Sequence, residues 1–266
     1  MQHLLFIEWL KIKRYRTFWI LVGFFAVLLP LWNYGISNGI MKLGGGGKEG
    51  INVISQAYSF SNVWQNLGFW TSIFIIFLSI LIVILSTNEY QFRTNRQNII
   101  DGLSRLQFYH AKWLLILSLS VFSTLYVFIT GTVFGAQYGD ISYFPGKIEY
   151  LFYVWVLSLN YMGFAFILSL FFKRSGITIG IFFLYSMILE SLAGKFLNWQ
   201  TDSYIGNYMP LQCSDELLPF PIMDMVRSML PKDSSAPTAT IYVIVSLAWI
   251  IIYYITGRQK LLRSDW

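Results

Sequence analysis

Six stretches of this chain, about 18–37, 67–87, 113–135, 150–172, 176–194 and 238–257, contain no Lys, Arg or Asp, and Glu149 and Glu190 are the only acids at or inside them. Each is close to the roughly 20 apolar residues that carry an α-helix across a ~30 Å hydrocarbon core. Backbone in lipid must satisfy its own hydrogen bonds, and none of the six shows the alternation of a barrel strand, so helices are expected. The predicted fold is all-α: a polytopic membrane protein with six transmembrane helices in a single membrane domain over 1–266. Composition agrees, with 56% hydrophobic and 12% charged residues, against roughly 25% charged in soluble domains.

Lys and Arg set the expected orientation. With the N-terminus inside, thirteen of the nineteen basic residues fall on inner segments, and three of the six outer ones lie in the longest loop, where the rule weighs least. Both termini are therefore expected in the cytoplasm. The formal charge of +6 is accounted for by this asymmetry, and no nucleic-acid partner is needed. The first apolar run is long and ends in Asn33, Tyr34, Gly35 and Ile36, so it is expected to be an uncleaved span.

Several chemistries find no residues to carry them. The single cysteine, Cys213, and the two histidines, His3 and His110, form no cluster with metal-ligand spacing. Gly44 to Gly47 followed by Lys48 approaches a phosphate-binding loop, but Glu49 stands where Ser or Thr is required and Lys42 where the first Gly belongs. The spans hold one buried-looking acid and no His, too little for intramembrane proteolysis. No catalytic residue, metal site or bound cofactor is expected.

Two polar segments are more informative. In the inner loop 88–112, Phe92, Ile99, Leu103 and Leu106 fall on one face at helical spacing, with Arg93, Gln97, Asp101, Ser104 and Arg105 elsewhere. The segment 1–17 is apolar and basic together, as an interfacial helix leading into the first span would be, with Glu8, Lys11 and Arg14 as an imperfect stripe. Either segment can rest in the headgroups, its basic residues against anionic lipid.

Together, Glu8-Trp9-Leu10-Lys11 followed by Arg14, Arg16 and Trp19, the six spans, and Asn88-Glu89-Tyr90 leading through Thr94 to Gly102, Ser104, Arg105, Phe108 and Lys112 resemble the permease subunits of ABC-2 type transporters over the whole length. The chain departs from the common pattern at Asn95 and lacks a proline before Ser104. The resemblance implies a membrane-spanning permease, in most such cases an exporter, in the cytoplasmic (inner) membrane of a bacterium. It implies that loop 88–112 seats a coupling helix in a separate ATPase, with Glu89, Arg93, Arg96, Asp101 and Arg105 as candidate coupling residues. ATP and Mg would belong to that partner, and a second permease copy or a homologue would complete the pathway. The competing class is a membrane anchor or assembly subunit that uses a partner ATPase for mechanical or regulatory work and transports nothing.

The resemblance also implies a broken external hairpin between spans five and six, where loop 195–237 holds Pro210, Pro219, Pro221, Pro231 and Pro237 amid apolar residues. Helical pieces are expected around Ser214–Leu218 and Met223–Leu230, capping the outer ends of the spans near Glu190. Within the membrane, Glu190 would cost about 2.5–3.5 kcal/mol if left facing lipid at the helix centre. It is a candidate for the substrate pathway or gate, with snorkelling or a packing hydrogen bond as alternatives. Asn160 is a second candidate for the pathway, or interhelical glue. Gly131 with Gly135 and Gly176 with Gly180 are candidate helix-packing positions.

Overall fold

The computed structural model describes residues 2–38, 57–92, 94, 97, 100, 102–139, 144–221 and 236–263. Among these the chain is helical and contains no strand. A short α1 (Gln2–Ile12) turns at 13–15 into α2 (Arg16–Ser37). There follow α3 (Val63–Gln91), α4 (Arg105–Tyr138) and α5 (Glu149–Phe172). After a two-residue link come α6 (Ser175–Leu184), a π-helical turn (Tyr185–Leu189) and α7 (Glu190–Thr201), which run on as one span. A 3-10 turn (Ile205–Tyr208) and a single-turn α8 (Gln212–Asp215) precede α9 (Ala239–Arg263). Six of these helical stretches are long and apolar enough to cross a membrane.

The centre of the bundle is α5, packed against α3, α4 and α9, while α2 lies on α3 and α1 on α4. Small side chains on α5 allow this crowding: Gly163 sits under Trp113 and Tyr253, and Ser158 Oγ meets Ser123 Oγ of α4 at 2.8 Å. Lipid would cover the opposite kind of helix, and α2, the 175–201 span and α9 indeed leave most of their apolar surface exposed.

Local chemistry explains the irregular points. Pro30 inside α2 has no N–H to give the Ala26 carbonyl four residues back, and the Tyr126 hydroxyl of α4 donates to that carbonyl instead. A helix break in lipid is thus repaired by a neighbouring helix. At the start of α4, Ser104 and Gln107 form a reciprocal capping box, with Gln107 N–H to Ser104 Oγ at 3.1 Å and Ser104 N–H to Gln107 Oε1 at 2.8 Å.

That cap changes the expected inner loop. Thr94, Gln97 and Ile100 have helical backbone, but Gly102 takes φ +99°, which only a residue without Cβ adopts cheaply. Leu106 therefore belongs to α4, and the single apolar face predicted from Phe92 to Leu106 is interrupted. Arg93, Arg96, Asp101, Gly44 to Gly47 and the Met223–Leu230 piece lie outside the described residues.

The glycines divide. A Cβ on Gly131 would strike the Trp64 indole, and one on Gly135 the Phe60 ring at 2.5 Å, so both face close partners on or just before α3. At Gly176 and Gly180 nothing among the described residues comes within 4 Å. A tight backbone approach lies elsewhere, between Gly194 of α7 and Gly206 of the 3-10 turn, where a Cβ on Gly206 would overlap the Gly194 carbonyl.

Candidate functional site

Two buried polar clusters stand at different depths. The first, at the end of the bundle that carries α1, joins three helices. Lys112 of α4 places Nζ 2.7 Å from Glu8 Oε2 of α1 and 2.8 Å from Glu89 Oε1 of α3. Lys11 closes the figure at 3.2 Å from Glu8 and 3.3 Å from Glu89. Two carboxylates and two ammonium groups balance, which is what allows charges to be this deeply buried: the Lys112 side chain is 3% exposed and that of Glu8 4%. Burial alone would push the Glu8 carboxyl up, but the Lys112 and Lys11 charges and hydrogen bonds outweigh it and hold the group below its ordinary value.

The cluster is the junction of everything near it. Residues 92–104 join α3 to α4, with Glu89 two residues before the end of α3 and Lys112 seven residues into α4, so the helices that flank this loop are tied to one ion network. Asn88 adds a 2.9 Å hydrogen bond to the Tyr15 hydroxyl in the α1–α2 turn. Arg105 donates to the Leu262 carbonyl at 3.1 Å, tying the start of α4 to the end of α9.

The second cluster holds the segment after α7, which goes deeper than the outer surface where a cap was expected. Pro210 accepts a 2.7 Å hydrogen bond from Asn160 Nδ2, and Asn160 lies eleven residues into α5 from Glu149, about 16 Å along the helix axis. The chain thus enters roughly to mid-membrane and turns back through α8. Backbone at that depth must find its partners in protein, and each helix around it supplies them. From α9, Trp249 Nε1 donates to the Tyr208 carbonyl at 3.0 Å, and Ser246 Oγ to Cys213 Sγ at 3.2 Å. From α5, Tyr161 donates its hydroxyl to Asp215 at 2.8 Å. From α3, Gln65 Nε2 donates to the Pro219 carbonyl at 3.3 Å, and Gly68 leaves the notch that Leu218 fills.

Glu190 is the anchor at the turn. Its Oε1 accepts the Leu211 N–H at 2.6 Å and the Gln212 N–H at 3.0 Å, and the residue is 2% exposed. It stands directly after the π-helical turn, where one extra residue per turn changes the direction in which the following side chains point. Glu190 Oε2 and Asn160 Oδ1 are buried and find no hydrogen-bond partner among the described residues.

Glu190 and Asn160 therefore meet on the same hairpin, and Glu89 enters an ion network instead of facing outward. The Glu8–Lys112 pairing escapes a reading of local pattern, since 104 residues separate the partners. Gly194 and Gly206 were missed because neither belongs to a Gly-x-x-x-Gly.

The family model described as ABC-2 family transporter protein matches residues 4–189, more than half of the chain and inclusive of both acids of the ion network. A comparison with curated proteins finds no match.

Proposed function

This chain belongs to the ABC-2 family of transporter proteins, and from that membership we propose that it is the permease half of an ATP-driven exporter, paired with a second permease and energised by separate ATPase subunits. The family supplies the membrane transport component and implies an ABC ATPase in general. The end carrying α1 faces the cytoplasm of a bacterium, where the ATPase meets residues 90–111.

The observation that carries the mechanism is the bracketing of that loop by Glu89 and Lys112 in one buried network. A push on the loop cannot be absorbed by slack at its ends, so it reaches the inner ends of α3 and α4 together. Helix α3 is unbroken over 29 residues, about 43 Å at helical rise, and its far end holds Leu218 and Pro219 of the hairpin. Closure of the ATPase would tilt α3 as a rod and withdraw the hairpin, opening the outer half of the pathway. Glu190 and Asn160, each with one oxygen unpartnered among the described residues, would then offer acceptors to a passing substrate.

Arg93 and Arg96 are the charges through which loop and ATPase would meet. In purified complexes, Arg93→Glu with Arg96→Glu is expected to lower transport-stimulated ATP hydrolysis at least about tenfold while leaving membrane insertion unchanged. Undiminished turnover with undiminished ATPase binding would rule the loop out as the coupling element. An ATPase response that persists without any substrate movement in vesicles would favour the anchor reading.

The orientation has its own test. In a Cys213→Ala background, a cysteine at Gly46 or Ser235 is expected to react with an impermeant thiol reagent in intact cells, and one at Gln97 only after permeabilisation. Labelling at Gln97 alone would invert the topology.

A further inference from the structure

A cavity of about 390 Å³ opens where α1, α2 and the Leu115–Phe122 stretch of α4 meet. Its walls are Trp9 of α1, Phe18 and Val22 of α2, and Leu115, Leu119 and Phe122 of α4. Among the described residues the only charged side chain lining it is Glu8, whose carboxylate is already held by Lys112 and Lys11. Apart from Ser118, whose hydroxyl donates to the Leu114 carbonyl of its own helix, and the indoles of Trp9 and Trp19, the walls are apolar.

Position and shape select an occupant. From Leu115 to Phe122 a helix rises about 10 Å, within the ~15 Å of hydrocarbon that one leaflet provides. The groove begins beside the ion network at the end of the bundle and runs toward the membrane centre. It is open laterally, with Trp19 54% and Phe122 37% exposed along its edge. A single unbranched chain lying parallel to α4 fits such a slot.

The rim carries the complementary charge. Lys13 and Arg14 lie in the turn that joins the α1 wall to the α2 wall and Arg16 opens α2, and they take no part in the ion pairs among the described residues. Three cations within four positions, beside an apolar slot, match an anion covalently joined to a hydrocarbon chain. A second copy of this protein would have to bring an apolar ridge past three cations that form no ion pair among the described residues, whereas a lipid supplies chain and anion together.

We propose that this groove is a binding site for an anionic phospholipid of the adjacent leaflet, with an acyl chain between α1, α2 and α4 and the phosphate on Lys13, Arg14 and Arg16. The proposal rests on the six-span membrane reading and is independent of any ATPase. Occupancy would brace α1 against α4 next to the Glu8–Lys112 pair.

The test is native mass spectrometry of the full chain, purified in detergent, delipidated and titrated with phosphatidylglycerol or phosphatidylcholine. Each cation near a headgroup contributes on the order of fivefold in affinity, so at least about a tenfold preference for phosphatidylglycerol is expected. Lys13→Gln with Arg14→Gln and Arg16→Gln should reduce retention of phosphatidylglycerol to that of phosphatidylcholine. Ser118→Phe, at an exposed serine on the groove wall, should reduce retention of both without disturbing the core. Equal retention of the two lipids by the unaltered chain, or retention unaffected by Ser118→Phe, would overturn the proposal. So would an efficient disulfide between copies carrying Val22→Cys and Ser118→Cys in a Cys213→Ala background, which would make the groove a contact between protomers.

Discussion

Lys112→Met is expected to destabilise the folded chain by about 3–5 kcal/mol, the range for removing one partner of a buried ion pair. The methionine fills much the same space, so the loss is electrostatic. Glu8 and Glu89 would be left facing one another with only Lys11, whose side chain is 35% exposed, to balance two carboxylates. Against a typical total stability of about 5–15 kcal/mol this is severe, and it would appear as loss of monodisperse protein or a large drop in melting temperature in detergent. Adding Glu89→Gln restores charge balance between Glu8 and Lys11 and should recover part of the loss. A Lys112→Met protein that melts like the unaltered chain would show that the network contributes nothing. The carboxylate side has a matching pH signature. Because Glu8 sits below its ordinary value of 4.5 in the folded protein, its contribution is present above that pH and disappears as the pH falls below it.

Glu190→Ala is expected to release the hairpin and abolish transport, with association to the ATPase retained. The substitution leaves the Leu211 and Gln212 N–H groups without their acceptor at membrane depth, at a cost of about 1–3 kcal/mol each. Glu190→Gln keeps an amide oxygen at the same place and should preserve the anchor, which separates a hydrogen-bonding role from a role for charge. The direct readout is a cysteine at Leu217, a residue now 2% exposed, in a Cys213→Ala background. Its reaction with a thiol reagent should rise at least about tenfold on Glu190→Ala and little on Glu190→Gln. If the alanine variant labels no faster, Glu190 does not hold the hairpin. If both variants keep the hairpin closed yet both lose transport, the carboxylate acts on the substrate itself.

The spans were legible in the sequence because crossing a membrane imposes length and apolarity on every segment alone, and the stretch from Val154 to Leu170 needs no partner to declare itself. Gly131 and Gly135 were equally visible, although the pattern could not say that Trp64 and Phe60 would be their partners. The polar clusters were hidden for the opposite reason. Glu8 falls on a helical stripe with Lys11 and Arg14, and nothing local distinguishes a solvated stripe from one that meets Lys112 across the bundle. Prolines 210 and 219 signalled a broken segment correctly, but its depth depends on Asn160, Ser246 and Trp249, which come from two other helices. The extra residue of the π-helical turn left no compositional mark at all: Tyr185 to Leu189 is as apolar as the turns around it.

The dependence of the hairpin on α9 also bears on the order in which the protein can be made. Synthesis delivers residues 202–221 before α9, yet Tyr208, Asn207 and Cys213 find their partners on Trp249, Tyr242 and Ser246. Until the last span has entered the bilayer, the segment has no complete set of acceptors and donors at mid-membrane, and water at the surface is its better solvent. Biogenesis therefore has a required final step: the segment waits at the membrane surface, and the arrival of the last helix draws it in.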